Sequence, residues 1–203
     1  ITHAMILAAG LGTRMRPLTE TLPKPLIPVA GRPLLDYNYG WLKDAGVEQL
    51  VINTSYRAAQ IEEYVAQQGW HNVAISREEP SPLETGGGIA KALPLLGTAP
   101  FMAMNSDAIL MGEGEHPIHR LHSKWTDRLD FLMLVVTRDQ AIGWSGNGDF
   151  IVAADGRLRR PNKGEDAPYI FTGVEIIHPR VFANCPSGSF SLSTLWNARQ
   201  QAD

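Results

Sequence analysis

The chain has 203 residues, 44% of them hydrophobic and 19% charged, an ordinary globular mixture long enough for one domain with a substantial core. A formal net charge of −3 without a basic run argues against nucleic acid as the main partner, and no stretch approaches the ~20 apolar residues of a membrane span. The single cysteine, Cys185, cannot close an internal disulfide, which suits a reducing cytoplasm. The chain enters a strand almost at once, leaving no room for a signal peptide, and Ile1-Thr2-His3 reads as an added remnant because no initiating Met stands there.

From the amino end, Met5 to Ala9 reads as a fully buried strand, apolar on both faces. Gly10 to Leu22 is a long loop, and Pro25 to Val29 a short strand before the turn Ala30-Gly31-Arg32-Pro33. A helix is predicted from about Leu34 to Ala45, stopped by Gly46. QLVINTS is the next strand, and a helix from Ala58 to Gln68 places Ile61 and Val65 one turn apart before Gly69. NVAISRE is a third strand, ETGGGIAKALPLL a glycine-rich loop running into a helix, and PFMAMNSD a fourth strand ending in a carboxylate. HPIHRLHSKW reads as helix and DFLMLVVT as a buried strand. Beyond it the alternation weakens: GDFIVAADGRL looks like a hairpin turning at Asp155-Gly156, YIFTGVEIIHP is one more strand, and Ser191 to Gln201 a terminal helix.

Strands alternating with helices imply an α/β fold with a mostly parallel sheet covered on both faces. Ligands of such sheets bind at the carboxyl ends of strands. The segments Gly10–Arg14, Glu84–Gly88 and Asn105–Asp107 all follow predicted strands and should converge on one edge. No repeat, low-complexity tract or linker splits the chain, so residues 1–203 are expected to form a single domain.

A glycine turn after a strand can present several backbone N–H groups to an anion, and Gly10 and Gly12 would let the backbone come close. Arg14 adds a planar fork suited to phosphate. Lys24 stands between two prolines that restrict its backbone. Together they describe a site for several phosphates; an isolated pair of glycines would equally suit a plain turn with solvated cations. A dinucleotide fingerprint fails because Met15 stands where its third glycine belongs, and no Walker string occurs.

The stretch from Leu7 to Pro25 resembles the signature of the sugar-1-phosphate nucleotidyltransferases, matching at Leu7, Gly10, Gly12, Thr13, Arg14, Pro17, Leu18, Thr19, Pro23, Lys24 and Pro25. PLETGGGIAKALPLLG and NSD resemble the family's nucleotide and metal segments. The resemblance implies a Rossmann-like three-layer sandwich with a mostly parallel mixed sheet, of the nucleotide-diphospho-sugar transferase type. Its nucleotide-binding part would run to about residue 110 and its sugar-binding part from about 111 to 203. It also implies transfer of a nucleotide from a nucleoside triphosphate to a sugar 1-phosphate, with release of pyrophosphate. Two polyanions must meet for an in-line attack, so positioning and charge would carry catalysis.

By this resemblance Arg14, Lys24 and Asp107 are the catalytic residues. Ala9, Gly10, Leu11, Gly12, Thr13 and Arg14 would hold the triphosphate, with Arg14 on the leaving group. Lys24 would bridge the sugar phosphate and the α-phosphate, and Asp107 would hold Mg²⁺, although an Asp there could equally cap the next helix. Gly86, Gly87 and Gly88 would let a base lie against bare backbone, or would serve as a hinge, with Glu79 or Glu84 facing the base. On the sugar-phosphate side, Asn105, Thr172 and Gly173 would lie beside the phosphate and the Gly148 N–H would meet a sugar hydroxyl. Many relatives carry Glu-Lys-Pro where this chain has Arg159-Arg160-Pro161. Arg159 or Arg160 could therefore pair with an acidic sugar substituent, such as the lactyl carboxylate of N-acetylmuramate, or form a solvated pair.

PLETGGGIAKALPLLG, the NGDF loop and FSLSTLW are most similar to the N-acetylmuramate-1-phosphate uridylyltransferases of cell-wall recycling. Mannose- and heptose-1-phosphate guanylyltransferases and thymidylyltransferases share the early motifs, and a catalytically silent, nucleotide-binding regulatory subunit is the alternative of another class. Relatives usually continue past this point with a segment that often supplies a second metal ligand; the sequence stops at Asp203 without it, so either it is truncated there or that ligand is lacking. A cytoplasmic enzyme is implied, monomer or homo-oligomer, without nucleic acid or membrane. His116, His119 and His122 recur every three residues with Glu113 and Glu115 nearby, a polar surface or a structural metal site. Trp41, Trp70, Trp125, Trp144 and Trp196 read as packing residues, of which Trp144 could cover a ligand.

Overall fold

The computed structural model describes residues 1–112 and 114–202. Strand β1 (His3–Leu7) leads into 3-10 turns at Thr13–Met15, Leu18–Glu20 and Lys24–Leu26, then a tight hairpin, β2 (Pro28–Val29) and β3 (Arg32–Pro33). Helix α1 (Leu34–Asp44), β4 (Gln49–Thr54), α2 (Ala58–Gln67), β5 (Val73–Arg77), α3 (Glu84–Leu96), β6 (Phe101–Asn105), α4 (Pro117–Ser123) and β7 (Phe131–Thr137) follow. A second hairpin, β8 (Ile151–Val152) and β9 (Leu158–Arg159), precedes β10 (Tyr169–Ile177) and α5 (Ser193–Ala202).

One six-stranded sheet has the order β5-β4-β1-β6-β10-β7. β5, β4, β1 and β6 run parallel, and β10 is antiparallel to both its neighbours. This is the mostly parallel mixed α/β sheet expected. Period-two alternation gives each strand two apolar faces. Ala4 and Ile6 pack toward Leu35 and Leu42 of α1, Ile61 of α2 and Ile118 of α4, whereas Met5 packs toward Ile89 and Leu96 of α3 and Leu195 of α5. Each Ile or Leu so buried contributes about 1.5–3 kcal/mol before entropy is counted. Among the described residues no helix is long and apolar enough to cross a membrane.

Two local expectations are corrected. Lys24–Leu26 forms a 3-10 turn, leaving only Pro28–Val29 as strand, because Pro25 lacks the N–H a ladder needs. The glycine-rich segment is not a loop: Glu84 opens α3 and all three glycines lie inside it. Their poor helix propensity is overridden by packing. Cβ atoms at Gly86 and Gly87 would run into Phe190 and the Gly188 carbonyl, so the absence of side chains lets the carboxyl-terminal segment close on the helix.

The chain moves outward from β1 to β4 and β5, then returns to β6 on the other side of β1. That reversal opens a crevice at the carboxyl ends of the strands.

Candidate active site

The crevice is a cleft of about 220 Å³ whose walls come from the three segments expected to converge: Ala9 and Gly10 after β1, Glu84 and Thr85 at the start of α3, and Asn105 to Asp107 after β6. Lys24 completes the rim, its ammonium bonded to the Asp107 carboxylate. Pro25 and Leu26 are buried beside Lys24 and anchor its turn. Gly12 is left-handed, with φ 62°, and a Cβ there would lie 2.7 Å from Thr19 Cγ2 and 3.2 Å from Lys24 Cβ. The Thr19 hydroxyl donates to the Gly12 carbonyl at 2.8 Å. The glycine turn and the lysine are therefore one packed unit, and only glycine meets both the backbone angle and the close approach.

The floor at β6 is also held from outside. Asn38 of α1, fully buried, donates from Nδ2 to the Asn105 carbonyl at 2.7 Å. β10 shifts register between Phe171 and Glu175, and within that irregularity Gly173, with φ 84°, faces Asn105, whose Cβ lies 2.8 Å from where a Gly173 Cβ would be. Such bulges commonly re-aim chain beside active sites. Thr172 turns away, its hydroxyl donating to the Leu134 carbonyl at 2.9 Å.

The base side separates the candidate glutamates. Glu84 lines the cleft, whereas the Glu79 side chain is 71% exposed and stands 3.5 Å from Arg77. The missed residue is Glu78, buried and lining the cleft. Asn38, Asn53 and Glu78 left one sequence signal, a polar residue within an otherwise core-facing segment, and buried polar groups must be bonded. The N–H groups of Gly86 and Gly87 both donate to the Phe190 carbonyl, at 2.9 and 3.1 Å. The bare backbone expected to meet a base is thus already covered on that side.

Leu11, Thr13 and Arg14 are exposed on the turn above the cleft and do not line it. The Gly148 N–H, expected to meet a sugar hydroxyl, donates to the Ala167 carbonyl at 2.9 Å. The two arginines part company. Arg159 makes a two-pronged pair with Glu165, 2.8 Å on its Nη1 side, which holds the Glu165 carboxyl down to about 2. Arg160 instead lies 4.3 Å above the Phe150 ring and 5.6 Å from that of Trp196, with Asp149 at 3.9 Å. Trp196 donates from Nε1 to Glu175 at 3.1 Å, and burial pushes the Glu175 carboxyl up to about 8.

The histidines do not form a uniform polar surface. The His116 ring lies 4.6 Å from Trp41 and 4.5 Å from His119, with both its nitrogens buried and unbonded, and burial lowers its pKa. Among the described residues no group of three His, Cys, Asp or Glu side chains could hold a metal ion; Glu113 lies outside them. Trp41, Trp70, Trp125 and Trp196 pack against the two cores, whereas Trp144 is exposed.

A family model described as nucleotidyl transferase matches residues 3–143, the segment that builds the whole cleft. The chain belongs to the nucleotidyl transferase family. N-acetylmuramate alpha-1-phosphate uridylyltransferase of Caulobacter vibrioides is 39% identical over 198 residues, 95% of this chain and 82% of that protein. The protein of the same description from Neisseria meningitidis serogroup B is 38% identical over 188 residues, 92% of this chain and 79% of its own. The fold is shared with the inositol-1-phosphate CTP transferase from T. maritima, at a TM-score of 0.81 and 20% identity, covering 100% of this chain and 82% of that one. HddC from Yersinia pseudotuberculosis, complexed with GMP-PN, aligns at 0.75 and 25% identity over 94% of this nucleotidyl transferase and 83% of its own chain.

Proposed function

We propose that this chain joins UTP to N-acetylmuramate 1-phosphate, releasing pyrophosphate and leaving the UDP-sugar, in the cytoplasmic recycling of cell-wall sugar. The observation that carries the reaction is the meeting of Lys24 and Asp107 over a glycine turn at the crevice of the sheet. Identities of 39% and 38% over nearly the whole chain support this substrate pair.

An oxygen of the sugar phosphate attacks the α-phosphorus in line, and the bond to the β-phosphate oxygen breaks. Lys24 lies between the two anions and lowers their repulsion. The Ala9–Thr13 backbone and Arg14 hold the β- and γ-phosphates, and Arg14 takes up charge on the departing pyrophosphate. Arg14 stands outside the cleft wall, free to fold over a bound triphosphate. Glu84 borders the base. Asn105, with Gly173 behind it, meets the sugar phosphate, and Thr172 supports that bulge through its bond to Leu134. Arg160, whose neighbour Arg159 is engaged by Glu165, takes the lactyl carboxylate of the sugar. Among the described residues the cleft is lined by ones between Leu7 and Asp107, in keeping with a nucleotide part up to about residue 110, while Arg160 and Gly173 belong to a sugar part beyond it.

A divalent cation fits Asp107. Mg²⁺ keeps several waters and needs only one or two protein carboxylates beside substrate phosphates, and Lys24 engages only Oδ2 of Asp107. When bound, such an ion neutralises charge between the phosphates.

Pyrophosphate release decides the reading when UTP, GTP, dTTP and CTP are each crossed with the 1-phosphates of N-acetylmuramate, mannose, glucose and glucosamine. UTP with N-acetylmuramate 1-phosphate should give the highest kcat/KM. A different best pair overturns the substrates, and nucleotide binding without product from any pair overturns the enzyme.

A further inference from the structure

A buried hydrogen-bonded chain runs under the cleft across three strands. The Ala8 N–H, just after β1, donates to Asn53 Oδ1 of β4 at 2.6 Å. Asn53 Nδ2 donates to Glu78 Oε1, at the end of β5, at 2.7 Å. Glu78 Oε2 accepts the Leu83 N–H, one residue before α3, at 2.6 Å. Asn53 is 2% exposed and Glu78 1%, and both line the cleft beside Ala8 and Glu84.

We propose that Asn53 and Glu78 are positioning residues for the nucleotide, a crossbar that fixes the glycine turn, where phosphates lie, relative to the first turn of α3, where the base lies. The inference rests on the nucleotidyltransferase reading of the cleft. Its ends are the two segments that must grip opposite parts of one ligand.

The direction of every bond in the chain is determined. The Ala8 N–H can only donate, so Asn53 must turn its oxygen to it and its NH₂ toward Glu78. The Leu83 N–H also only donates. Position 78 therefore faces two donors, and a group with two acceptor oxygens satisfies both. An amide at 78 would leave a donor facing a donor whichever way it turned. A buried polar chain is a poor way to gain stability, since apolar replacements of like shape can be as stable, but it sets distances between its ends to within a hydrogen bond. The third glycine of ETGGG has its reason here: a Cβ on Gly88 would lie 2.5 Å from Glu78 Oε1 and 2.8 Å from Asn53 Nδ2.

The test is an exchange of polarity in the whole chain. Glu78→Gln should raise the Kd of the tightest-bound of UTP, GTP, dTTP and CTP about tenfold, the cost of one mismatched buried group. The KM for the sugar 1-phosphate should move less than about twofold. The double variant N53D/E78Q restores the pattern: the carboxylate introduced at 53 accepts from Ala8 and from the amide introduced at 78, whose oxygen accepts from Leu83. It should return nucleotide Kd to within about threefold of wild type. Calorimetric binding is read at a temperature where thermal melts show the protein folded.

A folded E78Q protein with unchanged nucleotide Kd overturns the proposal, as does an equal loss for both substrates. Should E78Q fail to fold, the double variant alone decides: recovery of fold and binding supports the crossbar, and failure of either overturns it. A wild type that binds nucleotide but forms no product sinks the enzymatic reading and leaves this binding comparison standing.

Discussion

Lys24 and Asp107 meet across 83 residues of chain, the ammonium of a 3-10 turn on the carboxylate that follows β6. Their side chains keep 19% and 38% of their exposure, so solvent screens the pair and its share of stability is small, about 0–1 kcal/mol. The contact matters for placement: two opposite charges are held at the mouth of a cleft, where an anion and a hard cation could each replace one partner.

Lys24→Ala should therefore separate chemistry from folding. Turnover is expected to fall on the order of 10²–10³-fold, while the melting temperature moves by less than about 3 °C. Pyrophosphate release and a thermal melt on the same sample check it; normal turnover in a normally melting variant removes Lys24 from the reaction.

The two turn glycines should differ. Gly12→Ala forces a side chain into a left-handed position against Thr19 and Lys24, and should destabilise the protein by about 2–4 kcal/mol. Gly10→Ala meets nothing within 4 Å and should leave the melt nearly unchanged, yet it lines the cleft and should weaken nucleotide binding. Melting curves and nucleotide titrations of both variants distinguish a folding glycine from a ligand-facing one.

Gly173→Ala should act through Asn105. A Cβ with φ 84° would lie 2.9 Å from Asn105 Nδ2 and displace that side chain from the cleft wall. The KM for the sugar 1-phosphate is expected to rise about tenfold, more than that for the nucleotide. Equal changes in both would move Asn105 out of the sugar side.

Glu175 predicts a pH dependence. Burial raises its carboxyl from the ordinary glutamate value of 4.5 to about 8, so between those values the folded chain holds a proton that the unfolded chain has lost. Stability from this group is complete below about pH 4.5 and declines as pH rises through 8. Glu175→Gln, which keeps an oxygen for the Trp196 N–H, should flatten that decline. Denaturant melts at pH 5, 7 and 9 (roughly bracketing the interval) check it; parallel curves for variant and wild type would show that Glu175 does not titrate there.

Arg160→Ala should change substrate preference more than rate. The KM for N-acetylmuramate 1-phosphate is expected to rise about tenfold, while that for glucosamine 1-phosphate, without the lactyl carboxylate, stays within about twofold. Equal effects on both sugars would reduce Arg160 to a packing residue over Phe150 and Trp196.

Most of the element order was legible because it depends on local pattern: the apolar run of β1, the helix ending before Gly46, and the apolar run of β6 with a carboxylate just after it are readable within a few residues. Gly10, Glu84 and Asp107 could be placed at one edge because strand ends of a parallel sheet share a side, whereas Lys24 follows no strand and reaches that edge through its 3-10 turn. The glycines of α3 could not be read correctly, since a glycine run looks the same as a loop or as a helix pressed by another chain segment. Here Phe190 and Gly188, about a hundred residues away, make it the latter.

The sequence by itself determined the α/β alternation, the family and the strand-end segments that border the cleft, because apolar periodicity and fixed motif spacings are written locally in the chain. Only the tertiary structure decided between neighbours of the same type: Glu78 inward and Glu79 outward, Arg159 paired and Arg160 stacked, Gly148 closed on Ala167. Adjacent residues of an extended chain point to opposite sides. Which side is buried depends on what packs there, and those partners come from distant parts of the chain.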